Sequence, residues 1–189
     1  YQGADLTRMS ASARAQAGIA RSFQISAIFP TLSVLEHARL AAQARGRGRY
    51  QLLRPYTAYP RYLEQGSWGL DLVGLAMMAA RPAGALSHGD KRKLELAMVL
   101  AGDPDLLLLD EPTSGLSAED VPAMAALIQR VREGTGKTVI MIEHKIGMVL
   151  DLSDRVAVLA QGKLLAIDTP AKIQRSDAVQ AAYLGRESA

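Results

Sequence analysis

Apolar residues recur at helical spacing from Thr31 to Ala44, where Leu32, Leu35, Ala38 and Ala42 share a face. The same spacing returns after Arg81-Pro82, with Leu94, Ala97, Met98 and Ala101 in line until Gly102 and Pro104 stop it. Ser10 to Ala17 reads as a short Ala-rich helix ended by Gly18, preceded at Ala4 to Thr7 by a turn or the end of a strand pair. Ile19 to Gln24 reads as a short strand ending in a polar residue. Leu106 to Leu109 is a uniform apolar run between charges, the pattern of a strand buried on both faces. A helix is expected over Val121 to Arg132, a β-branched strand over Thr138 to Ile142 and a helix over Ile146 to Leu152. Arg155–Leu159 and Lys163–Ile167 flank Ala160-Gln161-Gly162 as a hairpin. Thr169-Pro170 then opens a last helix, with proline at its first position. Residues 45–69, rich in Gly, Arg and Tyr with Pro55 and Pro60, are expected to hold the least regular backbone. Alternation of strand and helix from residue 106 onward predicts a parallel sheet covered by helices, an α/β fold.

Composition narrows the class. The chain has 189 residues, 49% apolar and 22% charged, enough apolar surface for one folded domain with a subdomain. No stretch reaches the ~18 uncharged apolar residues of a membrane span, and no basic-apolar leader opens the sequence, so neither a transmembrane segment nor a signal peptide is expected. Cysteine is absent, which excludes disulfides and thiolate metal sites and fits a reducing compartment. The net charge of +3 is dispersed except at Arg45, Arg47 and Arg49, a spot that suits a solvated loop or a contact with phosphate or lipid headgroups; no nucleic-acid partner is expected.

Chemistry concentrates at strand ends. Leu106 to Leu109 delivers Asp110 and Glu111 side by side, where open α/β sheets bind ligands. Asp110 suits Mg²⁺, which favours few carboxylates plus phosphates; Glu111, pointing the other way, suits accepting a proton from an attacking water. Without other motifs the pair would read as an exposed strand end. Ser87-His88-Gly89-Asp90 precedes a helix, either as an N-cap or as an anion site. His144 follows the strand Thr138–Ile142 and could donate to a phosphate oxygen or be an ordinary satisfied polar residue. Gln24 is a candidate metal or water ligand. Gly134-Thr135-Gly136-Lys137-Thr138 imitates a phosphate loop, but the required first glycine position holds Val131 and a strand follows, so it reads as a helix-to-strand turn.

The order of these elements resembles the ABC-type ATPase family: Gln24 after Arg-Ser-Phe as Q-loop, Leu86-Ser87-His88-Gly89-Asp90 as signature, Leu106–Glu111 as Walker B strand, Ser114-Gly115-Leu116-Ser117 as D-loop and His144 as switch histidine. Leu-Ser-His-Gly followed by Leu-Glu-Leu-Ala-Met, and Ile-Phe-Pro-Thr-Leu-Ser-Val-Leu-Glu, resemble the branch serving importers of branched-chain amino acids, amides or urea. The resemblance implies a partial P-loop NTPase core over residues 1–27 and 102–168, a helical subdomain over 28–101 and a helical tail over 169–189. The first strands, the P-loop and its helix are missing from it. It implies ATP and Mg²⁺ as ligands, Asp110 and Gln24 on the metal, Glu111 on the water and His144 on the γ-phosphate. Ser87 and Gly89 would reach a nucleotide bound by a second ATPase subunit. Residues 28–101 would meet membrane-spanning permease subunits, at the cytoplasmic face of the inner membrane. Signature and D-loop depart from the family pattern at His88, Asp90 and Ser117. Without a P-loop the chain is expected to be inactive alone. It is also expected to leave apolar surface at Leu107, Leu109, Val139 and Met141 partly unpaired, inviting a non-native dimer. A non-transport ABC ATPase acting as a nucleic-acid or translation clamp, and a catalytically silent module, are the alternatives.

Overall fold

Ser10 begins the first helix by accepting the Ala13 amide on its hydroxyl, and Gly18 ends it at φ 113°, a left-handed conformation suited to glycine. In the computed structural model, residues 1–22, 28–46 and 55–184 are described. The chain divides into two compact units, Tyr1–Ile142 and Glu143–Ala189. From the backbone of Gly18, whose carbonyl accepts the amides of Asp105 and Leu106, the first unit builds its sheet. Strand β1 (Ile19–Arg21) pairs parallel with β2 (Leu106–Asp110), and β2 pairs parallel with β3 (Thr138–Ile142), in the order β1-β2-β3. Parallel neighbours require crossovers, and helices supply them.

Helix α1 (Ala11–Ala17) leads into β1; α2 (Val34–Arg45), α3 (Pro60–Val73) and α4 (His88–Ala101) lie between β1 and β2; α5 (Val121–Thr135) returns from β2 to β3. The helices α2, α3 and α4 pack on one another in all three pairs. Their buried stripes are Val34, Ala38 and Ala42; Tyr62, Leu70 and Val73; and Leu94, Ala97, Leu100 and Ala101. His37, 1% exposed, is fully served: its Nε2 accepts the Phe29 amide at 2.9 Å while Nδ1 donates to the Ser33 carbonyl at 2.8 Å.

Helix α3 corrects the expectation of irregular backbone across 45–69. Gly66 and Gly69, read from composition as loop formers, are contact residues. A Cβ at Gly66 would stand 2.9 Å from the Arg39 amide nitrogen, and one at Gly69 would stand 2.9 Å from the Ala97 carbonyl oxygen. Glycine lets α3 approach the backbones of both neighbours, and Pro60 sits harmlessly at the first helical turn. Residues 47–54 lie outside the described region.

The strand β2 is not buried on both faces. Leu107 and Leu109 are 0% and 3% exposed, whereas Leu106, Leu108 and Asp110 are half-buried. Met124, Leu127, Ile128 and Val131 of the crossover helix α5 are buried as well. The expected unpaired surface at Leu107 and Leu109 is therefore absent. In β3 the exposed residues are Thr138, Ile140 (54%) and Ile142 (59%), while Val139 and Met141 are half-buried.

In the second unit, α6 (Ile146–Leu152) precedes the antiparallel pair β4 (Val156–Ala160) and β5 (Lys163–Asp168), as predicted. Gln161 and Gly162, at φ 49° and 75°, make the two-residue turn whose twist suits a hairpin. Helices α7 (Pro170–Gln174) and α8 (Asp177–Leu184) follow. Val156, Val158 and Ile173 form the core, with Val149, Leu150, Ala166 and Val179 against it.

Candidate functional site

Asp110 ends β2 at its carboxyl terminus. The Asp110 backbone amide donates to Ser22 Oγ at 3.0 Å, and its Oδ2 lies 2.9 Å from Arg21 Nη2. Arg21 and Ser22 come from the end of β1, so sheet pairing itself assembles this cluster. The Asp110 side chain is 20% exposed and already faces a cation. That donor set fits Mg²⁺, for which a single carboxylate suffices when phosphate oxygens and waters complete the shell. The guanidinium occupies the carboxylate oxygen such an ion would take. Among the described residues no group of three or more His, Asp or Glu forms a metal cage.

Glu111 sits on the following turn at φ 46°, the left-handed region that a non-glycine residue holds at a cost of about 1–3 kcal/mol. Three backbone contacts fix it there. Its amide donates to the Ile142 carbonyl at 2.9 Å, and its carbonyl accepts the Ser114 amide at 2.9 Å and Arg92 Nη2 at 2.7 Å. Pro112 offers its carbonyl to the Arg92 Nε at 3.2 Å. The turn thus fixes the backbone that carries Glu111 next to Asp110.

Ser87 is the N-cap of α4: its hydroxyl accepts the Asp90 amide at 3.1 Å and donates to Asp90 Oδ2 at 2.8 Å. Burial pushes the Asp90 carboxyl up, but hydrogen bonds from Ser87 and Lys93 and the charge of Lys93 outweigh it and hold the group below its ordinary range. Gly89 has ordinary space around it; its nearest neighbours would be the Asp120 carboxyl atoms at 3.7–3.8 Å. No contact among the described residues demands glycine there. Gly115 is different: at φ 75°, an added Cβ would lie 2.8 Å from the His88 Nε2. His88 thus fills the space over the loop after Glu111, which accounts for a side chain at that signature position.

His144 lies two residues past β3 in the second unit, exposed, with its amide donating to Glu143 Oε2 at 2.9 Å. Gln24 falls outside the described residues. Asp110, Glu111, Ser87 and Gly89 share the first unit, with α4 touching the Glu111 turn. The Gly134–Thr138 segment is the end of α5 and its turn, with Gly136 at φ 63° and Lys137 bound to Asp103 at 2.7 Å, a structural role. Sequence reading gave no role to Arg92 or to the Arg21–Asp110 pair. The sequence signal available for Arg92 was its i, i+3 spacing from Glu95 on α4.

Comparison with known proteins agrees with this arrangement. Residues 1–114 match the family described as ABC transporter, and residues 163–189 match that described as branched-chain amino acid ATP-binding cassette transporter. The chain is 34% identical over 176 residues to the high-affinity branched-chain amino acid transport ATP-binding protein LivG of Salmonella typhimurium, covering 90% of this chain and 69% of that protein. It is 35% identical over 177 residues to BraF of Pseudomonas aeruginosa, which carries the same description, with the same coverage. In fold it is similar to a nucleotide-free ATP-binding cassette from an ABC transporter, with TM-score 0.79, 21% identity and coverage of 97% of this chain and 75% of that one. An ATP-binding cassette in its ADP conformation superposes with TM-score 0.78 at 21% identity, covering 98% and 75%. The parallel sheet with its covering helices is that of an ATP-binding cassette, and the chain belongs to the ABC transporter family.

Proposed function

We propose that this chain serves as the ATP-binding and ATP-hydrolysing subunit of an importer for branched-chain amino acids or related amides, working at the cytoplasmic face of the inner membrane. The observation that carries the chemistry is the Glu111 turn. An acid is held in a strained, three-point-fixed conformation beside an Asp110 that already attracts a cation. The substrate class comes from the descriptions of LivG and BraF. No described helix is long and apolar enough to cross a membrane, and in this reading partner subunits form the permease.

In this reading Asp110, with Gln24, holds Mg²⁺, which when bound supplies charge neutralisation at the phosphates. Glu111 orients and deprotonates the attacking water, and His144 donates a hydrogen bond to the γ-phosphate. Ser87 and Gly89, at the N-terminus of a 14-residue helix, face the nucleotide of a second ATPase subunit, where amides and helix dipole favour an anion. Closure of that dimer around ATP is what drives transport. Positioning of the triphosphate requires a phosphate-cradling loop that this sequence does not contain, so the chain alone is inactive. Residues 28–101 dock the permease.

Detergent co-purification of the chain with the membrane-spanning subunits of a branched-chain amino-acid importer tests the reading, and association is the expected result. Absence of association together with salt-steep retention on nucleic acid would replace it with a clamp-type ABC ATPase.

A further inference from the structure

Arg92 is 8% exposed on α4, where a leucine or methionine would meet the ordinary demands of a packed helix. Its guanidinium is instead distributed over three acceptors: the Glu111 carbonyl at 2.7 Å, the Pro112 carbonyl at 3.2 Å and Glu95 Oε2 at 2.6 Å. Two successive carbonyls of one turn converge on it, an arrangement only a fork with several donors can serve in full. The same turn meets α4 at a second point, because His88 covers Gly115. His88 and Arg92 are one helical turn apart and share a face. The first two turns of α4 therefore grip the Glu111 loop at both ends.

We infer that Arg92 is a positioning residue that locks the backbone of Glu111 to α4, so that the helix end bearing Ser87 and Gly89 and the turn bearing Glu111 move as one piece. The mechanical part stands on geometry alone. Its functional meaning rests on the reading above: Glu111 acts in its own subunit while Ser87 and Gly89 face the other, so the guanidinium links two nucleotide sites. Displacement of α4 at one site then carries the water-orienting acid at the other.

The test needs no nucleotide. Amide hydrogen exchange and Glu111 carbon shifts are measured in the full chain, in Arg92→Met and in Arg92→Lys. In Arg92→Met the Ser114 amide, bonded to the Glu111 carbonyl, is expected to exchange on the order of 10-fold faster. The Glu111 ¹³Cα and ¹³Cβ shifts move to values of negative φ, while amides in α2 and α3 keep their rates. Arg92→Lys, which satisfies one carbonyl at a time, lies between the two. Wild-type exchange at Ser114 and unchanged Glu111 shifts in Arg92→Met would overturn the proposal. So would acceleration spread evenly over α2, α3 and β2, the mark of a residue that merely stabilises the fold. Should Arg92→Met not fold, Arg92→Lys decides: faster Ser114 exchange with α2 and α3 unaltered supports the lock, and wild-type exchange refutes it. Failure here leaves the transporter reading intact, and failure to bind a permease leaves the lock intact.

Discussion

Two glycine-to-alanine substitutions, Gly66→Ala and Gly134→Ala, isolate the close approach of α3 to its neighbours. Both glycines lie inside helices, so alanine gains about 0.5–1 kcal/mol in each from reduced chain entropy. At Gly134 nothing lies within 4 Å of the new Cβ, and the gain is kept. At Gly66 the Cβ would stand 2.9 Å from the Arg39 nitrogen and 3.2 Å from the Ala38 carbonyl carbon, both backbone atoms that cannot rotate away. Overpacking of that kind costs about 1–3 kcal/mol. The two variants should therefore differ by about 1–3 kcal/mol, with Gly134→Ala above the parent chain and Gly66→Ala level with it or below. At roughly 2–4 °C per kcal/mol for a chain of this size, thermal unfolding by far-UV circular dichroism resolves the difference. Amide exchange in α2 and α3 locates it. A Gly66→Ala chain melting at or above Gly134→Ala would refute the reasoning, because α2 and α3 would then have room to separate.

Other perturbations probe different layers. The purified chain should show no ATP turnover in a coupled phosphate-release assay, and turnover abolished by Glu111→Gln would contradict that. Leu107→Ala, at a 0% exposed position, should lose about 2–5 kcal/mol in urea unfolding. The Asp90 carboxyl, held low in the folded state, contributes stability that is complete above its ordinary value of 3.8 and is lost as pH falls through the lower folded value. Asp90→Asn should therefore be weaker than the parent at neutral pH, with the gap closing on acidification past that range. A gap that widens in acid would show the sign to be wrong. Arg21→Met, which removes a half-exposed partner of Asp110, should change stability by less than about 1 kcal/mol in the same unfolding assay.

Much of this was legible from local signals. Ser10, Gly18, Thr169 and Pro170 punctuate helices where chain chemistry requires it, α6 follows its predicted limits, and the hairpin strands fall within one residue of theirs. The strand-end acids were visible because a charged pair after four leucines has no packing explanation. Helix α3 was hidden because its glycines serve tertiary contacts, which composition reads as backbone freedom. The one-sided burial of β2 was hidden because four leucines look alike whether one face or both are covered. Arg92 and Arg21 find their partners 19 and 89 positions away, distances over which sequence pattern carries no contact information.

The pairing of β1 with β2 joins Arg21 to Asp110 across 89 positions, with the α-helices α2, α3 and α4 between them. Closing so long a loop is entropically unfavourable until something shortens it, and parallel sheets of this kind assemble slowly. Docking of α2, α3 and α4 on one another is the local event that brings the two strand segments within reach. During synthesis, β1 must wait for the 89 residues up to Asp110 to follow it, about 4–18 s at roughly 5–20 residues per second. Until then the edge of β1 is without its β2 partner, the kind of unpaired strand edge that invites aggregation.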